Sequence, residues 1–448
     1  MICSVLNIPQ PPTKFSAYNK TLLSAVAEVS EGSMLNAARE AIELNVSNDD
    51  DDDNDYNVRN IAAAFDCSWQ KRGHTSLNGI VSATSFDTGK IIDVEILSKF
   101  CYICSTTPSL HHNCKKNYEG SSGGMEVAGV DKLFKRSLGV RGVRYTRYLG
   151  DGDCKAFQTV VKEEPYGPKC KIQKLECIGH VQKRMGSRLM KLVKEYSGKK
   201  LHDGRTLGGK GGLTKAQIDK IQNYYGLGIR RHPNNLAAMK KAIWAIYFHK
   251  LSTDSSPQHG LCPSGPDSWC KYNRAAITGV VHKHKNSLPE SVMTTIKPIF
   301  RALSNEDLLK KCLHGKTQNP NESFNSVIWR RIPKTDFVRL ETLKLGVHDA
   351  VLSFNNGVSK KIDVLNLLGV RYGSNTFSGL RRIDMERVRK AEITMQNATK
   401  EARKEKEGRK GGGKIRRTWM IQHMVLECIN WINFRTRLPS FYHCHMMN

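Results

Sequence analysis

The sequence predicts an α/β chain: a mixed five-stranded sheet with flanking helices, interrupted by an all-helical stretch. Three observations carry this. Residues 61–97 hold strand-length runs joined by a tight turn. Between residue 97 and residue 196, helix-length and strand-length runs alternate. From Leu201 to His314 the apolar period is mostly helical and no strand-like run returns.

Taken in order, residues 1–56 predict one helix, apolar between Leu22 and Leu44, and an acidic linker at Asp49–Asp53 extended by Asp55. The apolar run Ile61–Phe65 is a first strand that ends at Asp66. Gly79–Phe86 is the second, Asp87-Thr-Gly-Lys90 a hairpin turn, and Ile91–Leu97 the returning strand. A Cys/His-rich loop then leads to a helix near Met125–Ser137. Arg144–Leu149 is a fourth strand running into Gly150-Asp151-Gly152-Asp153; Ala156–Val161 begins a helix, and Lys171–Glu176 is a fifth strand. A basic amphipathic helix covers Val181–Tyr196, with Val181, Met185, Leu189, Leu192 and Val193 sharing a face.

Three strands, helix, strand, helix, strand, helix is the order of an RNase H-like domain. We assign residues 57–200 to the first part of that core and 201–314 to the all-helical insertion. Helices are expected there at Thr214–Tyr225, Asn234–Lys250 and Leu288–His314. Residues 315–390 supply the final helices of the core, the first starting at Asn321–Trp329 and halted near Pro333. A basic tail and an irregular C-terminus occupy 391–448.

Charge narrows the function. Against 42 Asp and Glu the chain carries 70 Lys and Arg, a formal net charge of +28. A surplus of that size points to a polyanionic partner, because each phosphate neutralised releases a counterion. No run approaches the roughly 18–20 apolar residues that span a bilayer, so no membrane association is expected. The N-terminus shows no basic region followed by an apolar one, and the 13 Cys are expected as reduced thiols or metal ligands. The nucleus is the expected location. Gly208-Gly-Lys-Gly-Gly212 lacks the spacing of a phosphate-binding loop and is read as a linker.

Three acids fall where such a sheet would bring them to one site: Asp66, Asp151 and Glu322, the last at the start of the helix after the insertion. Carboxylates gathered at strand ends are costly unless metal neutralises them, and hard oxygens suit two Mg²⁺ or Mn²⁺ ions. Lys71 and Arg72 follow the first acid and are placed against DNA phosphates, as are Lys183, Arg184 and Arg188 on the basic helix. Cys101, Cys104, His111 and Cys114 have the spacing of a tetrahedral Zn²⁺ site. His259, Cys262 and Cys270, with His249, His282 and His284 nearby in sequence, form a second cluster, for which packing of Trp269 and Cys270 into a helical core is the favoured reading.

Several segments add a resemblance. Phe65–His74, Tyr148–Asp153, Glu176-Cys-Ile-Gly-His180, Ser268-Trp-Cys270 and Asn321-Glu-Ser-Phe-Asn325 occur in one order, and the chain resembles a Mutator-like transposase of the animal branch. The resemblance spans roughly residues 57–350. It implies an RNase H-like catalytic core, a helical insertion before the last acid, and metal-dependent cut-and-paste transposition on transposon ends and target DNA. Carried over by position, the first acid is Asp66, the second Asp151 or its competitor Asp153, and the third Glu322. Cys177 and His180 match a family Cys-x-x-His placed by the resemblance near the active site, and a homo-oligomer is implied. The alternative is a domesticated, catalytically silent DNA-binding or chromatin protein derived from a transposase.

Overall fold

The computed structural model describes residues 16–45, 59–71, 75–107, 109–150, 155–265 and 268–395. The acidic run, Arg72, Asp151, Asp153 and residues 396–448 lie outside the described residues. Helix α1 (Ser16–Asn45) precedes strands β1 (Arg59–Trp69), β2 (Asn78–Ser85) and β3 (Ile91–Ser98). Next come α2 (Tyr102–Thr106), α3 (Gly124–Arg136), β4 (Val143–Gly150), α4 (Lys155–Glu163) and β5 (Gln173–Glu176). Helices α5 (Ile178–Glu195), α6 (Lys215–Arg230), α7 (Leu236–Leu251), α8 (Lys271–Thr278), α9 (Glu290–Leu303) and α10 (Glu306–Lys310) follow. The last are α11 (Asn319–Arg331), α12 (Leu340–Asn355), α13 (Lys361–Leu367) and α14 (Ser374–Met395).

The five strands form one mixed sheet in the order β3-β2-β1-β4-β5, flanked by helices. This is the predicted α/β class, consistent with an RNase H-like fold. Strand β1 pairs antiparallel with β2, and β2 with β3 across the predicted turn. In that turn Gly89 holds a left-handed φ of +68°, while the Ser85 carbonyl accepts the Gly89 amide. Two expectations need adjustment. Asp66 does not end β1, because Cys67, Ser68 and Trp69 continue the ladder opposite Val81, Ile80 and Gly79. The single helix expected over 288–314 is two, because Asn305 caps a new one with its side chain accepting the Asp307 amide at 2.8 Å.

The chain divides into two compact units, one from Met1–Tyr148, Lys155–Gln173 and Asn319–Asn448, the other from Leu149–Cys154 and Lys174–Gln318. In the sheet unit, side chains alternate along β1. Phe65 points to the side of α3, where it stacks on Phe134 (centroids 5.0 Å) and Tyr148 (4.9 Å). Helix α3 comes close because Gly129 lies over Val81; a Cβ there would sit 2.4 Å from a Val81 methyl. On the opposite side Ile80, Val94 and Ile96 pack with Met34 of α1, Phe324 and Ile328 of α11, and Val347 and Val351 of α12.

A buried charge pins this unit. Asp93 on β3 is fully buried and receives Arg136 Nε and Nη2 at 2.9 Å each and Arg141 at 2.9 Å. Either arginine can be lost without leaving Asp93 wholly unpaired, whereas removing both would strand a buried charge, a loss that costs about 3–5 kcal/mol even for a single pair.

The helical unit has its own core. Ile178, Val181, Met185 and Leu189 of α5 meet Ile218, Ile221, Tyr225 and Ile229 of α6, all at helical spacing. Met239 and Ile243 of α7 and Val292, Ile296 and Phe300 of α9 complete it. The unit thus takes in α5 as well, whereas the sequence reading starts the insertion at Leu201. Leu207 and Leu213 are buried in the same core, so the Gly/Lys stretch between them is a pinned turn rather than a free linker. No helix among the described residues is long and apolar enough to cross a membrane.

Candidate functional site

Helix α11 lies along β1, and the contact is a ladder of side chains. Asn321 is fully buried and donates through Nδ2 to the carbonyls of Ala64 (3.2 Å) and Ser82 (3.4 Å) and to Ser82 Oγ. Asn325 Nδ2 donates to Asp66 Oδ2 at 2.7 Å. Trp329 Nε1 donates to Ser68 Oγ at 2.7 Å. The spacing has a geometric cause: four helical residues advance about 6 Å and two strand residues about 6.6 Å. Positions 321, 325 and 329 therefore keep step with 64, 66 and 68, which share one face of β1.

Glu322 stands on the same helix, three residues before Asn325 and hence its neighbour on the helix surface. Asp66 and Glu322 are both half-buried. Asn325 Oδ1 is buried and has no hydrogen-bond partner among the described residues, while its Nδ2 is spent on Asp66. A hard, unsatisfied oxygen beside a carboxylate fits the donor set of a divalent cation. Neither asparagine was assigned a role in the sequence; their i, i+4 spacing with Trp329 was the available signal.

The other expected residues fall as follows. Strand β4, which leads to Asp151 and Asp153, is the neighbour of β1 in the sheet. Cys177 is buried at the N-terminal cap of α5 and accepts the Gln318 amide at 3.4 Å on its Sγ. His180 is half-buried in the first turn of that helix. Lys71, Lys183 and Arg188 are exposed. Arg184 instead donates to Glu176 Oε2 at 2.7 Å, so much of its charge is spent inside the unit.

A metal-competent cluster forms in the loop after β3, with one change of ligand. Cys101, Cys104, His112 and Cys114 place their donor atoms within 4.8 Å of one another. His112, not the exposed His111, completes the set. The reason is local: His112 Nδ1 faces the Leu110 carbonyl at 2.8 Å, which turns Nε2 toward Cys101 Sγ (3.2 Å) and Cys104 Sγ (3.4 Å). Cys104 and Cys114 sulfurs are 3.5 Å apart. Tetrahedral zinc with ordinary Zn–N and Zn–S bonds needs ligand separations of about 3.3–3.8 Å. Backbone hydrogen bonds from Cys104 and Lys115, helped by His112, bring the Cys101 thiol down to about 6. The hydrogen bond to Cys114 and burial push Cys104 up to about 11.

A second cluster lies in the helical unit: His249, His259, Cys262 and Cys270, again within 4.8 Å. Burial lowers both imidazoles to about 4, so each is neutral with a lone pair to offer. Cys270 is packed as the sequence reading expects, beside Ala245 and Cys262, while Trp269 is exposed; the convergence of four donors lies beyond that reading.

A family model described as Mutator-like transposase matches residues 1–270 of the chain. No curated protein and no solved structure matches it.

Proposed function

The chain belongs to the Mutator-like transposase family, and on that premise we propose that it cuts and rejoins DNA with an Asp/Asp/Glu metal site. Asp66, Asp151 and Glu322 supply the carboxylates, with Asp153 the competitor for the second position. The observation that supports this reading best is the 2.7 Å bond from Asn325 to Asp66, which ties the helix bearing Glu322 to the strand bearing the first acid. Two Mg²⁺ or Mn²⁺ ions, when bound, supply Lewis-acid activation of a water or 3′-hydroxyl and relief of charge on the leaving oxygen.

The residues of the chain then have separate tasks. Asn325 orients Asp66 through Nδ2 and offers Oδ1 as a further hard ligand. Lys71 and Arg72, just past the first acid, hold the scissile strand by its phosphates. His180 and Cys177 organise the start of α5 beside the second-acid segment, as the family resemblance suggests. Net charge of +28 supplies the general attraction to transposon ends and target DNA. We assign Zn²⁺ to Cys101, Cys104, His112 and Cys114 as a closed structural site, a homo-oligomer as the working assembly and the nucleus as the working location.

The test is strand cleavage of duplex DNA taken from the genomic flanks of the coding region, in Mg²⁺ or Mn²⁺. Cleavage should require the cation and disappear in Asp66→Asn and Glu322→Gln. Activity surviving in both variants would refute the site.

A further inference from the structure

We propose that the helical unit carries a structural Zn²⁺ site of its own, formed by His249, His259, Cys262 and Cys270. His249 lies near the C-terminal end of α7, His259 and Cys262 on the following loop, and Cys270 at the N-terminal cap of α8. The donor separations are those of a tetrahedron. His249 and His259 Nδ1 are 3.2 Å apart. Cys262 Sγ is 3.7 Å from each of them, and Cys270 Sγ is 3.8 and 3.4 Å away. Zinc with ordinary bond lengths asks for about 3.3 Å between nitrogens and about 3.6 Å between nitrogen and sulfur.

The surroundings of His259 supply a second, independent argument. Its Nε2 is 2.8 Å from His284 Nε2, and His284 Nδ1 is 2.6 Å from Asp254 Oδ1. The Asp254 carboxylate can only accept, so His284 donates to it from Nδ1; a neutral His284 then accepts from His259 at Nε2. In that arrangement the lone pair of His259 lies on Nδ1, the atom that faces the other three ligands. A zinc-bound histidine usually donates its other ring N–H to a carboxylate, a carbonyl or water, and here the imidazole of His284, itself held by Asp254, stands in that place.

The site also answers a packing question. Helix α8 has no buried residue of its own, and Ile277, Val280 and Val281 are exposed. Apolar burial against α7 is confined to a small cluster in which Ala245 meets Cys262 and Cys270, with Leu261 and Tyr272 at its edge. Two thiolates and two imidazoles on one ion would add to that hold: binding releases both thiol protons, and the two sulfur charges neutralise the cation. The ion would make the loop between α7 and α9 part of the folded unit.

The experiment measures zinc in the purified full-length chain by plasma mass spectrometry, with X-ray absorption to count sulfurs. The double variant Cys101→Ser/Cys104→Ser, which removes the other cluster, should retain one zinc with two sulfur and two nitrogen neighbours. Cys262→Ser/Cys270→Ser should lose one zinc relative to the unsubstituted chain. Should the first variant fail to fold, the unsubstituted chain still decides, since two sites give five sulfurs over two zincs and one site gives three over one. Asp254→Asn, at an exposed position, should speed loss of that zinc to a chelator by tenfold to a hundredfold. A chain holding zinc only through Cys101, Cys104 and Cys114 would overturn the proposal.

Discussion

The β1–α11 contact and the loop after β3 belong to one unit and offer cation ligands in opposite styles. Around Asp66 the donors are oxygens, the ladder of asparagines holds the backbone, and Asn325 Oδ1 is left unsatisfied. After β3 the donors are three thiols and an imidazole that already satisfy one another at 3.2–3.5 Å. Oxygen donors with an unfilled position suit a hard ion that must also hold substrate; four closed sulfur and nitrogen donors suit an ion that stays. The two donor sets of the sheet unit thus differ in the kind of cation each would suit.

The largest effect should come from breaking the oxygen side. Asp66→Asn keeps the shape and the contact with Asn325 but removes the charge. Cleavage of flank DNA should fall on the order of 10⁴-fold, the scale seen when one member of a catalytic set is lost. Zinc content, read on the same sample, should not change. A joint loss of zinc and activity would mean the substitution had damaged the fold instead.

The sulfur side should break on one histidine and not on its neighbour. His112→Ala removes a ligand and should weaken zinc retention by more than about 100-fold, beyond the cost of losing an outer-shell partner. Chelator treatment should then remove one zinc fewer from His112→Ala than from the His111→Ala chain, and lower the melting temperature of the latter further. Equal zinc in both variants would contradict the 3.2 Å approach of His112 to Cys101.

These two sites differed in how much of them the sequence displayed. The strands, the hairpin at Asp87–Lys90 and the order that defines the sheet were legible, since period-two patterns and a Gly-containing turn are local signals. The Cys/His loop was legible as a cluster but not as a ligand set. His111 and His112 differ by one position, and only the Leu110 carbonyl selects between them. The strand end was placed at Asp66 because the apolar run stops there, whereas the strand runs on to Trp69 and Trp329 satisfies the Ser68 hydroxyl from a helix 261 residues away in sequence. The second cluster was visible as neighbouring His and Cys residues but not as a ligand set: His249 sits on a helix with an apolar-rich sequence, and its partners arrive from a loop whose path no periodicity describes. Helix α5 joined the helical core for the same reason, since its apolar face fits two partners equally well on paper.

A smaller effect tests whether the asparagine ladder serves the acid or only the fold. Asn325→Ala should reduce cleavage by about 10- to 100-fold, the usual cost of losing a partner that orients a metal ligand. Raising Mn²⁺ should recover part of it. The comparison variant is Trp329→Phe, which cuts the same ladder one turn further on. It should cost about 1 kcal/mol of stability for one hydrogen bond and leave the metal dependence unchanged. If both variants shift the metal requirement alike, the ladder is a fold device and Asn325 has no special place in it.

The smallest expected effect concerns DNA itself. Lys71 is exposed just past β1, whereas Arg184 is engaged by Glu176 at 2.7 Å. Salt slopes count the phosphates a protein neutralises. Lys71→Ala should reduce the slope of log K against log salt by about one, with binding weakened evenly across sequences. Arg184→Ala should leave the slope where it was and instead free Glu176, whose buried charge then opposes DNA and destabilises the start of α5. The two basic residues look interchangeable in a charge count. The pair of slopes tests whether their different surroundings decide which one reaches a phosphate.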